Sequence, residues 1–454
     1  MRKSVETSSE ITGKFKIKQT KFMTMQRSNT KVSIFMLACV MALMPIFLTA
    51  QGLSKDQEKF LPSKAYRIPK ETVSEESGYF SIVEGMNGKV YVGTAKYGSN
   101  AYLVEFDPSN EKMRIAVDAQ AEIGTSAKGF AAQAKIHTRN NVGKSGRIYF
   151  GTKQGYPQKG ETRDLYQGGY PMWYDPATDK TRVYPIPVRH QGIISLTPDE
   201  SRGVAYLSTC SDERPIESTH FMILDLKTGS YRDLMDCRHM YAFIVLDFQG
   251  RAYHPILGGD IARYDPKSKR LERLVQTIDG KAPEESSLLA TPKSHPINWD
   301  VSPDGKTLYA VAMSGNNLYS YDLTAKGKVL PGKSHGKLLS NAKQTDCRAM
   351  CVGPNGKVWA AVLEKGKRLH LVSYEKGDNS PRDRGALYVT NPDYTEFKDA
   401  QGKPNRWHHG MKKLEDGRTV PLYHMGVCAS KQGSVYLTSI YPYTLLKVSS
   451  ENLR

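Results

Sequence analysis

Past its first fifty residues the chain has no long apolar run, which excludes a helical membrane span from its main body. Cysteine is scarce. Only six occur, five of them beyond residue 50, and an odd number in an exported chain leaves at least one thiol unpaired or bound to something else. No pair of Asp or Glu residues falls at matching heights of the repeat described below, which argues against glycosidic hydrolysis by two flanking carboxylates. Basic runs interleaved with aromatics are also lacking, and nothing resembles a nucleic-acid module.

What is present begins with charge. Lys and Arg number 64 against 46 Asp and Glu, a formal net charge of +18. A basic, polar stretch from Arg2 to Lys31 leads into an apolar core, Val32 to Phe47, and then Leu48-Thr-Ala50 before Gln51. That order reads as a signal peptide over residues 1–50, cleaved on export, with a membrane anchor as its rival. Pro45 interrupts the apolar core, and Cys39 lacks a good lipobox. Without residues 1–50 the chain keeps 56 basic and 44 acidic residues, a net charge near +12. Such a balance suits a polyanionic partner.

A glycine followed by a short strand ending in an aromatic residue recurs seven times, at Gly88, Gly146, Gly203, Gly250, Gly305, Gly356 and Gly433. The strands end at Tyr91, Tyr149, Tyr206, Tyr253, Tyr309, Trp359 and Tyr436. Spacings of roughly 47 to 77 residues suit a four-stranded sheet with variable loops, the unit of a β-propeller. Third strands ending in Asp-Pro or another acidic turn, such as Tyr102–Pro108 and Ile261–Pro266, point to antiparallel strands and tight turns. We therefore expect an all-β, seven-bladed propeller of four-stranded antiparallel blades over residues 51–454, one domain and a monomer. The last repeat stops after three strands. Ala65–Ile68 is the natural donor of the missing outer strand, closing the ring from the N-terminal side.

A propeller gathers loops from every blade at one axial funnel. Nine residues before six of the repeat glycines stand His137, Ile194, Tyr241, Pro296, Cys347 and His424, with His190, His239, His295 and Arg348 close by. Long loops carry Lys153 to Tyr170, Cys210 to His220, and Arg406-Trp-His-His409. Long loops on one face of a rigid ring are commonly functional.

Histidine, tyrosine and arginine suit β-elimination on a uronic acid. Arginine neutralises the carboxylate in a matching fork, a histidine or tyrosine removes the C5 proton, and another protonates the departing oxygen. The stretches Ala134–Gly143 and Ser145–Pro157 resemble the second blade of seven-bladed propeller polysaccharide lyases, in particular ulvan lyases. The resemblance covers the propeller by repeat pattern and is specific across blades two to four.

It implies cleavage of an acidic polysaccharide by a histidine, a tyrosine and an arginine, with a second histidine assisting. His137 matches the first histidine. Tyr156 stands where the family has its second. Tyr206 or Tyr241 would be the catalytic tyrosine, and Arg214 or Arg238 the arginine. His190, Arg348, Trp407, His408 and His424 are the expected substrate contacts.

The same resemblance implies a structural zinc and no organic cofactor. Cys351 and Cys428 each stand five residues before a repeat glycine in adjacent blades, and His239 and His254 flank one hairpin. Two thiolates and two imidazoles satisfy tetrahedral zinc; a disulfide from Cys347 or Cys351 to Cys428 competes with it. Two other functions stay open. One is a non-catalytic propeller that binds glycans or proteins. The other is an oligogalacturonate lyase with a funnel metal on His408, His409 and His424.

Overall fold

The computed structural model describes residues 59–74, 78–211, 218–238, 243–284, 297–391 and 408–454. Arg214, His239, Tyr241 and Trp407, together with the expected export segment, lie outside the described residues.

Strand formation follows the repeat. All seven repeat glycines have positive φ, from 67° at Gly203 to 87° at Gly146, a region that glycine enters without a Cβ penalty. Each closes a tight turn onto the carbonyl three residues back, as Gly88 does to Gly85, Gly146 to Gly143 and Gly250 to Asp247. The aromatic residue that follows is buried in every instance. Several of these phenols end on a carboxylate: Tyr91 donates to Glu105 at 2.8 Å, Tyr149 to Glu200 at 2.8 Å and Tyr253 to Asp247 at 2.9 Å. The repeat therefore encodes a turn plus a buried aromatic anchor.

Seven antiparallel strand sets follow in chain order, each read from its first strand outward. Set A comprises Gly78–Glu84, Val90–Thr94, Tyr102–Asp107 and Lys112–Asp118. Set B starts with two short strands, Lys135–Ile136 and Asn141–Val142, then Ile148–Lys153, Pro171–Asp175 and Lys180–Val183. Set C has Gly192–Asp199, Val204–Cys210, His220–Asp225 and Tyr231–Asp236. Set D has Val245–Leu246, Ala252–Pro255, Ile261–Asp265 and Arg270–Ile278.

Set E has Ile297–Val301, Thr307–Ala312, Asn317–Asp322 and Val329–Lys337. Set F has Thr345–Val352, Val358–Glu364, Leu369–Tyr374 and Arg382–Val389, with a side hairpin of Met411–Lys413 and Thr419–Pro421. Set G has Gly426–Ala429, Val435–Ser439 and Thr444–Val448.

Two parallel pairings link neighbouring sets at their outer strands. Arg270–Ile278 of set D runs parallel to Val329–Lys337 of set E. The strand Phe60–Arg67 pairs on both sides. Its first half runs parallel to Arg382–Val389 of set F, and its second half, from Lys64 to Arg67, runs antiparallel to Thr444–Val448 of set G. The first strand of set G also packs beside the first strands of sets A and F.

First-strand side chains from different sets meet in one apolar cluster that includes Phe80, Ile82, Val245, Trp299 and Cys428. Phe80 packs edge-on against Phe243 at 5.2 Å, and Trp299 donates its indole N–H to the Phe243 carbonyl. This plug forms the floor on which the candidate site sits.

Candidate functional site

The first strand of set B is broken, and the break builds the site. Lys135 and Ile136 pair with Lys153 and Thr152, and pairing resumes only at Asn141. Between them side chains replace the ladder. The Thr138 hydroxyl accepts the Gly151 N–H at 3.1 Å, and Asn140 accepts the Ser81 hydroxyl at 2.6 Å. Arg139 reaches set E, donating to the Trp299 carbonyl at 2.6 Å and pairing with Asp300. Pinned at both ends, the segment places His137 beside the first strand of set A.

His137 is 1% exposed and lies under Tyr79, with ring centroids 3.9 Å apart, and edge-on to Phe80 at 5.5 Å. The Tyr79 hydroxyl bonds those of Tyr97 and Tyr156, the latter at 3.2 Å. Below these rings lies the buried Lys135, whose ammonium is 4.9 Å from the Tyr79 centroid and 4.7 Å from that of Tyr156. A desolvated cation over aromatic faces is attracted by their quadrupoles. Burial, followed by the neighbouring phenols Tyr97 and Tyr156, drives the Tyr79 pKa well above the ordinary phenol value, so this hydroxyl keeps its proton.

A cavity of about 750 Å³ opens over this group, bordered by His137, Tyr79, Tyr156, Arg348 and Asp346 and extending to Lys412. A second hollow of about 380 Å³ shares Tyr79, Tyr156 and Arg348 and adds Tyr97 and Tyr441. Arg348 thus borders both. Asp346 holds it through Nε alone, at 2.9 and 3.1 Å. Its backbone N–H donates to Nε2 of His424 at 2.9 Å. Nδ1 of His424 therefore carries the ring proton and has no partner among the described residues. Burial first, then the Arg348 charge, brings the His424 pKa down to about 3.

Of the residues read from the sequence, His137, Tyr156 and Arg348 meet at one cavity, with His424 directly behind Arg348. Tyr206, Arg238 and His190 line neither hollow. Tyr206 is a buried repeat aromatic near the turn end of its strand, packed on Phe221 and Tyr264 at 6.3 and 6.0 Å. Arg238 is an exposed turn residue whose N–H donates to Asp236 at 2.9 Å. His190 Nδ1 bonds the Tyr166 carbonyl at 2.7 Å. His408 begins the 3₁₀ turn His408–Gly410.

Of the four expected zinc ligands, His254, Cys351 and Cys428 lie among the described residues and His239 does not. His254 has both ring nitrogens engaged, Nε2 with Ser208 at 2.9 Å and Nδ1 with the Pro255 carbonyl at 2.7 Å, and it stacks on Phe221. Cys351 and Cys428 are buried and free, as are Cys237 and Cys347. Burial pushes the Cys351 thiol up to about 12 and raises the Cys428 thiol well above its ordinary value. No group of three or more metal-ligating side chains occurs among the described residues.

Tyr79, Tyr97 and Lys135 were not read from the sequence. One signal was available for Tyr79: the nine-residue count that lands on His137 from Gly146 lands on Tyr79 from Gly88. Lys135 gives no such signal, because a lysine on a first strand reads as solvated until its burial is known.

No family model matches the sequence, and no curated protein matches it. Similar solved structures are numerous. Streptogramin B lyase aligns over 85% of this chain and 96% of its own at 15% identity, with a TM-score of 0.54. A chain of the mitotic checkpoint complex aligns over 93% and 99% at 9% identity, with a TM-score of 0.50. U3-55K aligns over 85% and 98% at 8% identity, also with a TM-score of 0.50. At these identities the likeness shows the fold alone, and that fold is a β-propeller. Among the described residues no helix is long and apolar enough to cross a membrane.

Proposed function

We propose that the chain is an exported, seven-bladed propeller lyase, its ring closed by Phe60–Arg67, that cleaves a uronate-containing polysaccharide by β-elimination. Ulvan is the first polymer to try. One observation carries the proposal: His137, the phenols Tyr79 and Tyr156, and Arg348 border a single cavity. Arg348, held by Asp346 only at Nε, directs its two Nη groups to the substrate carboxylate. With that carboxylate neutralised, the C5 proton becomes acidic enough for the His137 imidazole to take it. The C4–O bond breaks as the C4=C5 double bond forms, and a phenol, Tyr79 or Tyr156, gives its proton to the departing oxygen. The basic mature chain draws in an anionic polymer. Streptogramin B lyase, by its name, performs a lyase reaction on a similar fold.

The test is incubation with ulvan, other uronate polymers and oligogalacturonate, following the ultraviolet absorbance of the unsaturated product. Absorbance that rises with wild type and not with His137→Ala supports the proposal. Silence on every uronate ends it and leaves a binding propeller. Activity confined to oligogalacturonate and lost to chelator points instead to a metal-dependent oligomer lyase.

A further inference from the structure

Part of the lining of the large cavity is not used by the elimination chemistry. It includes the tight turn Glu364–Arg368, in which the Glu364 N–H donates to the Arg368 carbonyl and Gly366 takes a φ of 78°. This turn sets Lys365 and Lys367 at the cavity edge. Lys412, on the side hairpin, borders the same cavity. Two backbone bonds fix that hairpin: Leu422 donates to the Gly410 carbonyl at 2.8 Å, and Gly410 donates to the Tyr441 carbonyl at 2.7 Å. Leu363, Leu422 and Tyr423 line it as well, and Tyr423 is 38% exposed and braced edge-on by Tyr441 at 5.2 Å.

Charge along this lining is unbalanced. Glu364 pairs with Lys367 at 2.6 Å and Asp346 with Arg348 at 2.9 Å, while Lys365 and Lys412 have no carboxylate partner among the described residues. Cations set around a flat aromatic face suit a sugar ring that bears an anion, because the ring stacks while the acid group is paired.

We infer that Lys365, Lys367 and Lys412, with Leu363, Leu422 and Tyr423, form a second subsite that binds a carboxylate-bearing sugar next to the one at Arg348. This rests on the acidic-polysaccharide reading of the cavity. Its consequence is that the substrate is an oligomer or polymer with acid groups on more than one sugar. A single uronate fills only the subsite at Arg348.

The experiment is calorimetric binding of glucuronate, of a uronate tetrasaccharide with its cleavable end reduced, and of a neutral tetrasaccharide. Wild type is compared with Lys365→Gln/Lys367→Gln/Lys412→Gln, whose thermal midpoint is checked first. The expected result is tetrauronate affinity lowered about tenfold in the variant, equivalent to about 1.4 kcal/mol, with glucuronate affinity unchanged. Equal tetrauronate affinity in both proteins overturns the inference, as does neutral tetrasaccharide binding as tightly as the acidic one. Lysine-dependent binding without any elimination would sink the lyase reading and leave the subsite standing. Elimination with unchanged affinity in the triple variant would do the reverse.

Discussion

His137 and His424 show how two buried histidines of one fold take different parts. His137 is buried under Tyr79 and borders the cavity. Its replacement by alanine is expected to lower turnover by about 10²–10⁴, the usual range for a general acid or base, with little change in far-ultraviolet circular dichroism. Retention of more than a tenth of the activity would remove it from the mechanism. His424 instead positions Arg348 through a backbone bond, and its pKa of about 3 keeps it neutral at physiological pH. The unfolded chain takes up this proton near pH 6.5, whereas the folded one does not until about 3. Stability from this group is therefore full above about pH 6.5 and falls by about 1.4 kcal/mol per unit as pH drops through the interval. His424→Gln, which can still accept the Arg348 N–H, should flatten the acid limb of denaturant midpoint against pH. An unchanged slope would assign that limb to other groups. The residue scale is also where sequence reasoning was least complete. His137 was legible because polar side chains recur at a fixed distance from the turn glycines. Lys135 was not, because only the pairing of its strand with Lys153 and the rings above it show that it is buried.

At the scale of elements, the glycine turn sets the strand register, and its neighbours decide what a substitution costs. Gly203 and Gly305 have nearly equal φ, 67° and 69°. A Cβ on Gly203 would meet nothing within 4 Å, whereas one on Gly305 would stand 2.5 Å from the Phe248 nitrogen in the turn of the preceding set. Gly203→Ala thus carries only the left-handed strain of an L-residue, about 1–2 kcal/mol. Gly305→Ala carries the same strain plus a clash with backbone that cannot swing aside. It should lower the denaturant midpoint clearly more than Gly203→Ala, and equal losses would show that the two turns do not press on each other. This regularity made the strands readable in advance, since seven turns of one chemistry leave little freedom in between. Set B defied the pattern. Its first strand is interrupted from His137 to Asn140, where Thr138 and Asn140 take over the hydrogen bonds. A period-two alternation does not announce such a substitution of side chain for ladder. Tyr206, at the repeat position, lies against Tyr264 and Phe221, where a tyrosine serves packing.

For the molecule as a whole, the proposed ring depends on one strand drawn from the start of the described chain. Phe60–Arg67 fills the gap between the outer strand of set F and the third strand of set G, pairing with both. Leu61 and Ala65 are buried in the same apolar cluster as Leu387 and Leu446, so the strand contributes core as well as hydrogen bonds. Side-chain bonds add to it: Asn391 bonds the Ala65 backbone at 2.9 Å in both directions, and Lys64 and Tyr66 hold Glu111 of set A. Removing the strand would expose two unpaired edges at once and an apolar seam between them. A chain beginning at Ile68 should therefore lose the single cooperative thermal transition and aggregate at micromolar concentration. Adding residues 59–67 back as a separate peptide should restore part of the transition with a peptide-concentration-dependent midpoint, because a ligand that binds only the folded state stabilises it by mass action. If the shortened chain melts as the longer one does, the two edges are not joined through this strand, and the seven sets close by some other contact. A melt that the peptide rescues would locate the closure in these few residues, with the cavity at His137 and Arg348 depending on it from a distance.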